Sequence, residues 1–516
     1  MKKTSVFLIL FILFVGKTFT QIPILTPSGP IIPNFYPHIS DNEIIENDEN
    51  TILSHHVVDY TTLFKKMNLE HLISYSKDEK KVKIQELVVP NAKETNHLFT
   101  RKIGDDIIIY YAEQSKKDNQ FIVKTTTLSQ DISTGKKNIN LNSLFSFNIG
   151  DKESVKYQAV ESPDKSKHAF LFIILDRKNV IQKFTIMVFD DRGEYLWQEN
   201  YNPNFSDKET TMSDFKLTDD GKALLLVLSS SGKKRDVPDL QLISFHENEQ
   251  ITMDVEISEE IIQSMKMLIL SNDTYFVGGY YAEKKSTTVG YFSMVFDPRS
   301  EALLHKNFSR FNDDYNEKGV LGFGKLAYVN QRYNVKCDYL FELDNGSVAM
   351  LGEQHFSFAV TNSKGLTTYR YFKKHIICNI FSLDGDKRGY EMIKRSQAFV
   401  LGVPVYDLSR FGLSYSPFIK GSDVYLLYND NIKNFNGKSK NWETLNIAHS
   451  KTACTVLAKI SDIGNAQRKV VMLPNKDGRI FHKLWAFDGE RAFFGIMSKK
   501  LYSLEQFEVN DQWNWD

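Results

Sequence analysis

Cysteine is nearly missing from this chain: three occur in 516 residues, Cys337, Cys378 and Cys454. They stand far apart in strand-like runs with no CxxC spacing, so neither a disulfide framework nor a cysteine-based zinc site is written here. At most one bridge can form, and three buried thiols are the simpler reading. Proline is scarce as well, 13 in all, and four of these crowd into Pro23, Pro27, Pro30 and Pro33. An excess of one charge is also lacking, with 64 Lys and Arg against 64 Asp and Glu, which argues against nucleic acid as a partner. No HExxH, GxSxG, GxxxxGK[ST] or strand-following GxGxxG is present, and nothing implies a metal or a cofactor. In a repeat fold these absences weigh little, because sites are assembled from loops that are distant in sequence.

One long apolar run exists, and it is at the start. Lys2 and Lys3 precede 11 apolar residues from Val6 to Gly16, and Thr18-Phe19-Thr20 follows. The run is too short to span a bilayer comfortably and has the charged flank and small residues of a cleaved leader. Residues 1–20 are therefore read as a signal peptide, with the mature chain starting near Gln21 and carrying no transmembrane span. No Cys follows the run to take a lipid. Removing Lys2, Lys3 and Lys17 leaves a small acidic excess. The predicted location is exported: periplasmic, outer-membrane-associated or extracellular.

What the chain has in quantity is strand. Hydrophobic residues make up 42 % and aromatics 13 %, enough for a large core rich in β-formers. Residues 21–65, proline-rich and then acidic, read as an extended arm or linker. From 66 to 516 a unit recurs, with a tight turn, an apolar strand, a polar break and an alternating strand. The apolar strands are 107–113, 168–176, 222–230, 274–283, 347–355, 423–430 and 491–498. Turn pairs such as Asp220-Gly221, Asn345-Gly346 and Asp488-Gly489 introduce them. Seven copies without helical pattern predict a closed all-β repeat, a β-propeller of seven blades. Six blades with a cap, or two packed sandwiches, are the alternatives. The isolated strand at 82–89 is placed in the last sheet, where it would close the ring.

In a four-stranded blade the loop between strands two and three lies on the same face as the connection to the next blade. Four long connections, 306–336, 356–375, 392–414 and 431–452, therefore converge on one sector of one face. Loop 356–375 holds Lys364, Arg370, Lys373 and Lys374, no acid, and Phe356, Phe358, Tyr369, Tyr371 and Phe372. Its neighbours add Lys394, Arg395, Arg410, Lys433, Lys438, Lys440 and Trp442. Bases beside aromatics suit an anionic or carbohydrate ligand through charge-assisted bonds and ring stacking. The plainer reading is a solvated charge run whose rings anchor long loops. Glu113, Asp176, Glu283, Glu353 and Asp430 end five of the apolar strands on that face. They form either a partial ring of carboxylates at the channel or only the acidic starts of hairpin loops. Asp384-Gly385-Asp386 has the opening of a calcium loop without its later ligands, and reads as a plain turn.

The segments GEQHFSF (352–358), HIICNIFSLDGDKRGYEMIKRSQ (375–397) and YLLYNDNIKNF (425–435) resemble a group of exported, uncharacterised propeller-like proteins of Bacteroidetes. The resemblance covers roughly residues 260–510. It implies an envelope location and carries over no activity. The residues singled out as ligand-binding candidates are Glu353, Gln354, Arg370, Tyr371, Lys373, Lys374, Lys394, Gln397, Asn429, Asp430 and Trp442. The leading expectation is a binding or scaffold module, a monomeric disc or a subunit of an envelope complex, engaging an envelope protein or a glycan. The alternative is a polysaccharide hydrolase or lyase using Glu353 or Asp430 with Tyr371, His355 or His375.

Overall fold

The structure is a computed structural model. It describes residues 20–21, 40–48, 50–61, 66–91, 94–115, 118–203, 209–230, 239–257, 260–283, 288–311, 334–401, 413–435, 443–446, 451–474, 480–497, 502–509 and 513–514. Apart from a 3-10 turn at Ile432–Asn434, every regular element among these is a strand. The strands form eight consecutive antiparallel meanders. The chain is therefore a β-propeller, of eight blades rather than the seven or six read from the sequence.

The second strand of each blade explains what the sequence made visible. Lys167–Leu175 is buried from its second residue to its last, and Tyr275–Ala282 along its whole length. Neighbouring blades cover both of its faces, so it reads as a continuous apolar run, each large side chain contributing roughly 1.5–3 kcal/mol. The fourth strand at the rim, such as Tyr195–Tyr201, is mostly exposed. First strands of neighbouring blades touch one another, which places them around the axis. Turns between first and second strands need left-handed backbone. Gly346 supplies it with φ 71°, and the Asn345 side chain accepts from Ser347 N at 3.0 Å.

The additional blade, the first in the chain, was hidden because its second strand, Thr51–Thr61, is polar where the others are apolar. Ser54, His55 and His56 are buried in its middle. Ser54 Oγ lies 3.0 Å from His56 Nε2, and His55 sits among polar groups of other strands. His55 Nε2 lies 3.2 Å from Glu70, whose Oε2 also accepts from the Tyr111 hydroxyl at 2.7 Å. His55 Nδ1 and His97 Nε2 each sit 2.7 Å from Thr100 Oγ1. Blade one thus comprises Ser40–Asn47, Thr51–Thr61, Lys66–Ser76 and Lys81–Val88. Two readings change with it. Residues 40–61, assigned to the arm, are largely strand. The 82–89 strand pairs with Lys66–Ser76 (Ile73↔Ile84), not with the last sheet.

Blade eight has three strands among the described residues, Ile480–Phe487, Arg491–Met497 and Tyr502–Glu508. It meets blade one in a shared core of Ile52, Ile73 and Tyr75 with Phe493 and Leu504. Lys77 Nζ reaches Asp488 at 3.1 Å, and the Tyr75 hydroxyl donates to Gln506 at 3.2 Å. Packing between the two blades closes the ring. Residues 1–19, which carry the predicted leader, lie outside the described residues.

Candidate functional site

The loop expected at 356–375 is a sheet. The second and third strands of blade six run on past the blade as a hairpin, Ser347–Thr361 against Thr367–Ser382. A register shift between Glu353 and His355 marks where the blade stops and the extension begins. Residues Gln397–Leu401, inside another expected loop, pair with Tyr369–Lys373 as a further strand, and Leu445–Asn446 add to it in parallel. Described parts of three of the long connections come together in a small second sheet on one face of the ring, while residues 312–333 of the fourth lie outside the described residues.

Beneath it lies an ionic cluster. Arg395 is fully buried and ion-paired through NH2 with Glu353, which is fully buried too. Lys373 pairs with the other carboxylate oxygen, which also accepts from the Ser414 hydroxyl at 2.9 Å. Arg395 donates from NH1 to Ser414 O at 2.6 Å and from Nε to Lys374 O at 3.3 Å, and its guanidinium stands 5.8 Å from the Tyr428 ring centre. Burial draws its pKa down to about 10, so it is charged at neutral pH. Gln397 and Asn429 lock the same joint. Gln397 Nε2 donates to Asn429 O at 2.7 Å and its Oε1 accepts from Ser414 N at 2.9 Å. Asn429 bridges to blade eight, donating to Phe481 O at 2.6 Å and accepting from Phe481 N at 3.0 Å.

Asp430 ends the equivalent strand of blade seven. It is buried, and burial pushes its carboxyl up to about 7. Oδ1 accepts from Asn431 N and Asn434 Nδ2, whereas Oδ2 has no hydrogen-bond partner among the described residues. Arg395 and Arg468 supply the nearby positive charge. The histidines considered as acid–base partners of these carboxylates are engaged otherwise. Burial, Lys373 and Lys336 lower His355 to about 4, and His375 Nδ1 accepts from Arg395 N at 3.2 Å. Glu353 and Asp430 face a buried arginine, not a cleft.

The sequence candidates therefore separate. Glu353, Gln354, Tyr371, Gln397, Asn429 and Asp430 are buried, Lys373 and Lys374 half-buried, and Arg370 and Lys394 exposed. Trp442, Lys438, Lys440 and Arg410 lie outside the described residues. The five acidic strand ends are held one by one. Glu113 pairs with Lys124 at 2.5 Å, Glu283 pairs with Arg310, and Asp176 accepts from Lys178 N and Val180 N within its own turn. Among the described residues no group of three or more His, Cys, Asp or Glu could hold a metal ion. Arg395 is the residue that sequence reasoning undervalued. A base in a linker looks solvated until the blade beside it supplies a buried acid.

The small sheet presents its own outer face. Phe356, Phe358 and Phe372 share one side with Arg370, because Phe356 is opposite Phe372 and Phe358 opposite Arg370. Ring centres of Phe358 and Phe372 are 6.0 Å apart with planes 5° from parallel, and those of Phe356 and Phe358 are 5.4 Å apart. The Arg370 guanidinium lies 5.9 Å from the Phe358 ring centre. The three rings are half-buried, and Val400 beside them is 48 % exposed. The opposite side is tucked inward, Phe399 packing on the cluster that includes Leu413, Leu445 and Ile480.

No protein-family model matches the sequence, nor does any curated protein. Solved propellers are similar in fold. The WD40 domain of SCAP from fission yeast is 10 % identical with a TM-score of 0.35, covering 90 % of this chain and 94 % of that one. The β-propeller domain of the Trilobed protease from Pyrococcus furiosus is 11 % identical with a TM-score of 0.34, covering 82 % and 93 %. The Dos1 propeller is 8 % identical with a TM-score of 0.40, covering 87 % and 88 %. At such identities the likeness is one of fold alone. No helix among the described residues is long and apolar enough to cross a membrane.

Proposed function

We propose that this chain is an exported binding propeller of the bacterial envelope that engages an anionic glycan on the small sheet of blade six. The observation that carries this reading is the row Phe356, Phe358 and Phe372 with Arg370 at its edge, half-exposed on a rigid sheet. Flat rings stack on the apolar faces of sugars, and a guanidinium pairs bidentately with a carboxylate or sulfate. The buried Glu353–Arg395 pair supports a scaffold role for the joint beneath, since a charge already paired away from solvent holds the sheet in place. The leader-like N-terminus and the resemblance to envelope proteins support export.

The test is affinity electrophoresis of the mature chain through gels carrying alginate, polygalacturonate, sulfated dextran or neutral dextran. Retardation by acidic but not neutral polymer is expected, reduced in Phe358→Ala and in Arg370→Ala. Equal mobility in all four gels overturns the proposal. Export has its own check: the mature protein from cell fractions begins near Gln21, and an intact Met1 overturns it.

A further inference from the structure

The opposite face of the ring carries a second feature. Turns joining first to second strands, and third to fourth strands, lie on the side away from the blade-six hairpin. Five such segments, from blades three to six, enclose a cleft of about 610 Å³, within the range of small-ligand sites. Its wall includes Asp219, Asp220, Asp273 and Glu342 against two bases, Lys222 and Arg299. Both bases are already paired, Lys222 with Asp220 at 3.0 Å and Arg299 with Asp273 at 2.8 Å. Asp219 accepts from Asp164 N at 2.9 Å through one oxygen, and Glu342 accepts from Ser271 N at 2.7 Å and from its hydroxyl. Each of these carboxylates keeps accepting capacity.

Tyr275 is the independent sign of a ligand. Its side chain lines the cleft at only 3 % exposure, yet it makes no hydrogen bond among the described residues. The hydroxyl itself is reachable from the cleft, so its bonding capacity is there for a ligand. Burial, together with Asp220 and Asp273, pushes its hydroxyl up to about 12, so it is a neutral donor and acceptor facing negative charge. Ile269, Leu270 and Pro298 add apolar surface next to it.

We infer that this cleft binds a cationic group on an alkyl stem, the ammonium or guanidinium of a lysine- or arginine-like ligand. The stem lies on the apolar wall, the charge faces Asp219 and Glu342, and the Tyr275 hydroxyl accepts one N–H. A bare metal ion is a poorer match, because the acids are spread over separate blades and the wall is partly apolar.

Calorimetric titration of the full mature chain tests this with four probes: Nα-acetyl-lysine methylamide, Nα-acetyl-arginine methylamide, butylamine, and neutral Nα-acetyl-norleucine methylamide. The cationic probes are expected to bind and the neutral one not. The double variant Asp219→Asn/Glu342→Gln keeps one oxygen at each position to accept from Asp164 N and Ser271 N, and the new amide at 342 can donate to the Ser271 hydroxyl, so the turns stay formed. It should lose about tenfold or more in affinity, and Tyr275→Phe a smaller factor. Lysine amide binding more tightly than butylamine assigns the site to peptide side chains, and equal binding assigns it to free amines. Both results uphold the cation. Norleucine amide binding as well as lysine amide, no binding by any probe, or unchanged affinity in the folded double variant overturns it. Arg370→Ala, on the other face, should leave these titrations unaltered, so this site and the glycan face stand or fall separately.

Discussion

Acidification should weaken the joint between blades two and three through one residue, His168. The ring is fully buried, stacked on Phe189 with ring centres 5.2 Å apart and planes at 17°. Arg101 NH1 donates to Nδ1, and Nε2 lies 3.0 Å from the Tyr110 hydroxyl. A guanidinium only donates, so Nδ1 must be an acceptor and the imidazole neutral. A proton placed there would oppose Arg101 in a dry site. Burial first and Arg101 second lower the His168 pKa to about 3.

In the unfolded chain His168 takes its proton near pH 6.5, and in the folded chain only near 3. Between those values the unfolded state binds more protons, so stability falls as pH falls. At about pH 5 the loss is roughly 1.5 pH units at 1.36 kcal/mol each, about 2 kcal/mol. That figure is insensitive to the folded pKa so long as it stays below 5. His168→Gln offers Arg101 an oxygen and Tyr110 an N–H without titrating. Urea unfolding of both proteins at about pH 7.5 and about pH 5, with fluorescence and circular dichroism required to coincide, gives the difference. The wild type should lose about 2 kcal/mol more than the variant over this interval. Other histidines lowered by burial, His71 and His97, titrate in both proteins and cancel. Parallel pH dependences within about 0.5 kcal/mol would refute the argument.

Removing one partner of the interior pair, Glu353→Ala or Arg395→Ala, should cost about 3–5 kcal/mol by stranding a buried charge. Arg370→Ala on the exposed sheet should stay within about 0.5 kcal/mol, and chemical denaturation compares the three. Asp430 works in the opposite sense to His168: its carboxyl is raised to about 7, so the folded state is the better proton binder and stability is lost as pH rises through 7. Asp430→Asn should therefore gain on wild type by about 2.5 kcal/mol between about pH 5 and about pH 8, read from unfolding midpoints across that range. Gly352→Ala drives a methyl into the ring of Tyr280 in the next blade, and melting curves should show a loss of about 1–3 kcal/mol from overpacking.

The sequence by itself determined the class of fold, because burial of the second strand on both faces leaves an apolar run wherever a blade is regular. It located the turns, since left-handed positions select Gly, Asn and Asp. It also located the sector where chain was added, since 356–375 and its neighbours are too long for tight turns. Blade number was decided only in three dimensions. Ser54, His55 and His56 read as a break in a strand until the fold sets Ser54 against His56 and brings Glu70 and Thr100, from other strands, to His55. The division of the candidate residues was decided there too. Arg370 and Arg395 are both bases in long connections, and nothing local separates them. One faces solvent across Phe358, while the other meets Glu353 and Ser414 in the interior. A charge's role depends on its partners and on access to water, and in a ring of blades both come from residues far away in the chain.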